Sequence, residues 1–382
     1  MPRDSARRAI ELLVDESWEL NTADRSLQAL ATAERAVLAA RRFGDAGLLV
    51  RALTTQASAQ RLLGENSAAM VSYVEVFRLA EDPKNEQPLA HPAAVRAIGS
   101  AHMSFVLVVR LRGASTKEQL LALIAEADDW FVQTGHPHWR AGLLLQRAEV
   151  HLDHGEAEPA LEHARAAYET YNPSAPGYTM AYHHNCLGRA LLAADRGDEA
   201  AEHFQTVIEA PTSAPYDRML SNFYLSDYHE RANRAELALR YMDDAVRLSE
   251  YCEGRYAQAM ALARRGKLLR ARNRFPDALA DLDRAVAYAP SYMWAVAQRG
   301  IAHRLAENYD RAVADYDAAI KLNPTVAWVH AERGAALLAL GRHADALTDF
   351  DRALELDPSD TWAAEHRQLT GDALDSLRAG DS

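Results

Sequence analysis

Three side chains of metal-binding type crowd into four positions, His183, His184 and Cys186, and two more histidines, His151 and His154, stand three apart. Imidazole and thiolate are ligands for zinc and other transition metals, and a spacing of three places two of them on one helix face. A closed site needs further ligands, and no CxxC or HExxH pattern supplies them. Read as chemistry, the 183–186 cluster defines an enzyme or a metal-dependent protein; read as architecture, it is a set of helix-surface and core histidines, and that is the reading adopted. The nucleophile and nucleotide motifs GxSxG, GxGxxG and GxxxxGK[ST] are missing, since Gly266-Lys267 has Ala261 where the first phosphate-loop glycine belongs and Leu268 where Ser or Thr belongs. The chain is therefore expected to be non-enzymatic, with no cofactor, no catalytic residues and no metal.

Composition narrows what must position any site. The chain has 382 residues, 49% of them apolar, which is ample to bury a continuous core. Its 18 Gly and 14 Pro are few for a sheet-and-turn protein and fit long helices on short connections. A formal net charge of −12 argues against general binding to nucleic acid or to anionic lipid. The most apolar run, Met103–Val109, meets Arg110 and Arg112 and is far shorter than the ~20 residues of a bilayer span, so it is expected to be a buried helix rather than a membrane anchor. Met1–Leu20 carries Glu11, Asp15 and Glu16 where a secretion signal needs an apolar stretch, and two cysteines make no disulfide framework; a reducing cytoplasm is expected. With only four lysines, at 84, 117, 267 and 321, almost all positive charge is arginine, a bias of GC-rich bacterial genomes.

One period runs through the carboxy-terminal third. Gly266, Gly300 and Gly334 are 34 apart, and so are Ala278, Ala312 and Ala346; Ala285, Ala319 and Ala353; Pro290, Pro324 and Pro358. Arg265, Arg299 and Arg333 keep the step, as do Asp-x-Asp pairs at 281/283, 315/317 and 349/351, which are accordingly read as packing and solvation of an outer face rather than as acid–base groups. Each cycle reads as two antiparallel helices: a Gly where they approach, Ala sockets for Leu282, Tyr316 and Phe350, and a Pro that stops the second helix.

Gly, Ala, aromatic, Ala and Pro at this spacing resemble the tetratricopeptide repeat, strongly over 259–360. The same template slides back to weaker cycles near 10, 50, 92, 141, 181 and 219, giving about nine. The resemblance implies an all-α, right-handed α-solenoid of about nine helix pairs, closed by a capping helix after Asp360. The expected organisation is 1–258 degenerate repeats, 259–360 three strong repeats, and 361–382 cap and tail. Longer connections, among them Asn172–Gly177 and Pro211–Pro215, stretch the early period. The degenerate amino-terminal cycles are expected to open before the last three.

The resemblance further implies that the first helix of each pair lines a concave groove at register positions two, five, six, nine and twelve or thirteen. Carried over residue by residue, the cycle from 181 contributes Tyr182, Asn185 and Arg189, and that from 219 contributes Phe223, Tyr224 and Asp227. The cycle from 259 contributes Arg264, Lys267 and Arg270; those from 293 and 327 contribute Trp294, Gln298, Arg304, Trp328 and Glu332. Arginine forks and large aromatics suit an acidic or amphipathic peptide, so the expected partner is a protein or peptide, with self-association through terminal repeats as a second possibility. The family's clamp for chaperone tails (Lys, Asn, Asn, Lys, Arg) is not kept: its places hold Ala263, Lys267, Gln298, Trp328 and Glu332. The resulting expectation is a scaffold or adaptor that assembles or regulates a complex through its groove.

Overall fold

A computed structural model describes residues 3–22, 25–111, 115–133, 135, 139–171, 179–252 and 255–380. The expected turn at Asn172–Gly177 lies outside these, as does Arg112. All regular structure among the described residues is helical. Among the described residues the helices follow one another as nine successive pairs: α1 (Arg3–Thr22) with α2 (Ser26–Phe43), α3 (Ala46–Leu62) with α4 (Asn66–Glu81), then, after a short α5 (Glu86–Leu89), α6 (Pro92–Leu111) with α7 (Lys117–Gln133). There follow α8 (Arg140–Asp153) with α9 (Ala157–Glu169), α10 (Met180–Ala193) with α11 (Gly197–Glu209), and α12 (Pro215–Arg231) with α13 (Ala235–Ser249). The strong cycles are α14 (Arg255–Ala271) with α15 (Phe275–Tyr288), α16 (Met293–Leu305) with α17 (Tyr309–Leu322), and α18 (Ala327–Ala339) with α19 (His343–Leu356); α20 (Thr361–Gly380) packs on α19. The all-α repeat architecture expected from the register is the one observed.

The helices group into two compact units, 1–241 with 250–254, and 242–249 with 255–382. Within each unit the first helix of a pair touches the first helix of the next: α6 meets α8, α8 meets α10 and α10 meets α12 in the first unit, and α14 meets α16, α16 meets α18 and α18 meets α20 in the second. Among the described residues the second helices of those successive pairs make no comparable contact, so in each unit the first helices form the tighter, inner layer.

The periodic small residues act as the register implies. A Cβ on Gly300 would lie 2.8 Å from Cε1 of Tyr316, and one on Gly188 would lie 2.5 Å from Cε1 of Phe204; only glycine lets the paired helix seat its ring there. Ala278, Ala312, Ala346 and the knobs Leu282, Tyr316 and Phe350 are completely buried. The apolar helix α6 is a core element, with Ala94, Ile98, Ala101, Met103, Val106 and Val108 all buried. Its Pro92–Arg110 stretch, longer than the 103–109 run alone, is long and apolar enough to cross a bilayer by length and composition. Cys186 and Cys252 are both unbridged and buried.

The Asp-x-Asp pairs do more than solvate an outer face. Arg265 clasps Asp281 (2.6 and 2.8 Å) and reaches Asp243 (3.0 Å). Arg299 holds Asp315 and Asp283, and Arg333 holds Asp349 and Asp317, at 2.6–3.2 Å. Asp281, Asp315 and Asp349 are buried, whereas Asp283 is exposed and Asp243 and Asp317 are half-buried. Each arginine thus ties the second helix of its own repeat to the second helix before it, an ionic ladder with one buried rung per repeat.

Candidate functional site

The expected lining divides between the units. In the second unit Arg264, Lys267 and Arg270 rise at intervals of three along one face of α14, all half-buried. Arg270 donates to Oε1 of Gln298 at 3.4 Å, a neutral acceptor that is itself buried on α16. Lys267 makes no hydrogen bond or ion pair among the described residues. One step further along the layer the charges close on themselves: Nε of Arg304 donates to Oε2 of Glu332 at 2.8 Å, and the Tyr316 hydroxyl donates to the same oxygen at 3.3 Å. Burial works against the Arg304 cation, but Glu332 and Tyr316 outweigh it and raise its pKa. The α16–α18 step is therefore a neutral pair, and the cationic character expected of the whole face is concentrated on α14.

The aromatics of this unit serve two ends. Tyr256, Tyr292 and Trp294 form a chain of rings, with centroids 5.2 and 6.0 Å apart. Tyr256 keeps an exposed face, and Trp294 is half-buried beside it. Trp328 is half-buried and packs against the core that includes Val296, Tyr316 and Val329.

In the first unit the candidate residues form a structural knot. Asn185 is buried; its amide donates to the Asp217 carbonyl (3.1 Å) and its Oδ1 accepts from Ser221 (2.7 Å), fastening α10 to α12. Arg189 is bonded to Glu149 and lies over the Tyr224 ring, 5.4 Å from its centroid. Glu149 is buried on α8 and also accepts from Arg110 of α6 at 2.9 Å. Burial pushes its carboxyl up, but Arg189 and Arg110 overcome this and hold it below the ordinary carboxylate range. Tyr182 and Asp227 are half-buried, and Tyr182 packs against the core of this unit. Phe223, expected beside Tyr224, is completely buried, because adjacent helix positions point about 100° apart and only one of the two can face outward.

Glu149 and Arg110 were not among the expected lining residues. The signal for the Glu149–Arg189 pair is nevertheless in the sequence: the two hold the same ninth register position in successive cycles with opposite charge.

The histidine cluster is not brought together as a metal site. Nδ1 of His183 meets the Thr179 carbonyl (2.9 Å) and its ring abuts Tyr171 (4.6 Å), whereas Nδ1 of His184 meets Nδ1 of His203 (2.9 Å). Cys186 is buried, and burial followed by the neighbouring Glu149 lifts its thiol far above the usual range. His151 bonds Glu156 at 2.6 Å and His154 bonds the Val150 carbonyl at 2.8 Å. Among the described residues no group of three His, Cys, Asp or Glu side chains could hold a metal ion.

Family patterns of the tetratricopeptide repeat match residues 186–251, 300–341 and 327–360. Among solved structures the chain is similar to the first TPR of Spaghetti (RPAP3) bound to an HSP90 peptide, at 24% identity over 31% of this chain and 94% of that one, TM-score 0.31. It is similar to YrrB, a TPR protein with an unusual peptide-binding site, at 18% identity over 49% and 92% of the two chains, TM-score 0.37, and to MamA at 20% identity over 45% and 95%, TM-score 0.37. No curated protein matches the sequence.

Proposed function

We propose that this tetratricopeptide-repeat protein is a non-catalytic, cytoplasmic scaffold whose second unit holds an acidic or amphipathic segment of a partner protein and so assembles or regulates a complex. The observation that carries the reading is the face of α14. Lys267 stands half-buried there, with no ionic or hydrogen-bond partner among the described residues, between Arg264 and Arg270 and one helix away from Trp294. An ammonium in such a setting gains a charge-assisted bond when a carboxylate arrives, and an indole on the neighbouring helix offers a large contact area at small entropic cost. Glutamate and aspartate side chains interspersed with an aromatic or aliphatic anchor answer both features. The neutral Arg304–Glu332 step next to it limits the cationic stretch to about one repeat, which suits a short acidic segment rather than a polyanion such as nucleic acid.

An array of acidic octapeptides carrying a single aromatic residue, read by fluorescence anisotropy, tests this. At least one should bind saturably and weaken as salt rises. Lys267→Glu should lower that affinity by about tenfold or more, ~1.4 kcal/mol, with helicity unchanged by circular dichroism. Indifference of every bound peptide to this reversal would remove α14 as the binding face.

A further inference from the structure

The ladder arginine recurs once outside the second unit. Arg147 on α8 holds the seventh position of its cycle, as Arg265, Arg299 and Arg333 do of theirs. In those three repeats the residue sixteen further on is a buried aspartate that clasps the guanidinium. Here that residue is His163, whose ring stacks on His151 at 5.3 Å. The rear rung is also diverted. Asp128 stands five residues before the end of α7, as Asp283 does before the end of α15, but it is held bidentately by Arg140 at 2.5 and 2.8 Å. Arg147 consequently makes no hydrogen bond or ion pair among the described residues, although it is half-buried. Its charge is still felt locally: the His163 imidazole is held below its ordinary pKa by burial first, then by His151 and by Arg147.

Beside this unpaired fork the structure has a cavity of about 370 Å³. Its polar wall is Arg147, the Arg140–Asp128 pair and Thr170; its apolar wall is Ala141, Leu143 and Leu144. Arg140 and Asp128 neutralise one another, which leaves Arg147 as the one uncompensated cation among the described lining residues. We propose that this cavity binds a small apolar monocarboxylate, its carboxylate on Arg147 in place of the missing ladder aspartate and its hydrocarbon body against Leu143 and Leu144. Guanidinium grips carboxylate in a planar two-point fashion, and the volume lies within the range of small-molecule sites. A phosphate fits less well on two counts, since its second charge would face the Asp128 carboxylate and its hydrated oxygens would face leucine. The same chemistry comes from a free short-chain acid or from the carboxy-terminal residue of a peptide.

Calorimetric titration of the whole chain with hexanoate and with N-acetyl-leucine separates the two sources, the tighter binder naming the class. The amide of N-acetyl-leucine and inorganic phosphate serve as controls. One acid or both should bind one per chain, the two controls should not, and Arg147→Gln should weaken the acid at least tenfold. His163→Asp would rebuild the internal rung and should abolish binding while helicity is kept, so the proposal stays testable if the arginine variant fails to fold. Failure of both acids to bind, binding unchanged in His163→Asp, or phosphate binding as tightly as the acids would overturn it.

Discussion

Glu307 holds a backbone φ of 60°, the left-handed region, at the turn between α16 and α17. The fifteenth position of six other cycles does the same: Gly64, Gly155, Asp195, Asn233, Asn273 and Gly341 all have φ between 56° and 81°. Asn, Asp and Gly visit this region at low cost, the first two because a short polar side chain bonds locally and glycine because it lacks Cβ. Glutamate has neither device, so its conformation costs about 1–2 kcal/mol. Glu307→Gly relieves that strain and loses roughly 0.5–1 kcal/mol to the greater freedom of the unfolded chain. A net gain of about 0.5–1 kcal/mol is expected, read as a higher urea midpoint at unchanged slope; a midpoint at or below that of the parent chain would show the turn to be unstrained.

At the scale of helices the ladder decides how neighbouring repeats are held in phase. Arg299 joins the buried Asp315 of its own α17 to Asp283 of the preceding α15, whose side chain is 62% exposed. Arg299→Met leaves Asp315 buried without its counter-charge and is expected to cost about 3–5 kcal/mol. Asp283→Ala gives up only a solvated partner and should cost less than about 1 kcal/mol. Chemical denaturation of the two variants would show this asymmetry, and equal losses would mean that the outer rung carries the load. The helices themselves were legible because a 34-residue period fixes where Gly300 must meet Tyr316. The ladder is not legible in the sequence, though Arg299 and Asp315 are both periodic, because pairing residues sixteen apart requires the antiparallel alignment of the two helices. For the same reason Arg189 and Arg304 look open to a partner in the sequence, whereas acids on neighbouring inner helices, Glu149 and Glu332, already hold them.

Over the whole molecule the titratable groups are unevenly shared, and that predicts an order of unfolding in acid. His102, His163, His183, His184, His203 and His229 of the first unit all have lowered pKa values, each chiefly through burial, and His102 and His184 fall to about 4. In the second unit burial lowers His303. A lowered histidine means that the unfolded chain takes up protons below about pH 6.5 while the folded chain resists, so its stabilising contribution is complete above that value and is lost as pH falls toward 4. Asp217 acts in the opposite sense: burial raises it to about 6, so its penalty is full above pH 6 and is relieved as pH falls toward 4, offsetting about one of the two strongly shifted histidines. The balance for the first unit is a loss on the order of 2–3 kcal/mol between pH 7 and pH 4.5, after discounting for the remaining solvent access of these rings. Hydrogen exchange at the two pH values, corrected for intrinsic rates, should therefore show α6 and α10 losing protection while α16 and α18 keep theirs. Equal loss in both pairs of helices would mean that the buried imidazoles do not set the acid limit, and protection lost first from α16 and α18 would place the weaker unit at the other end of the chain.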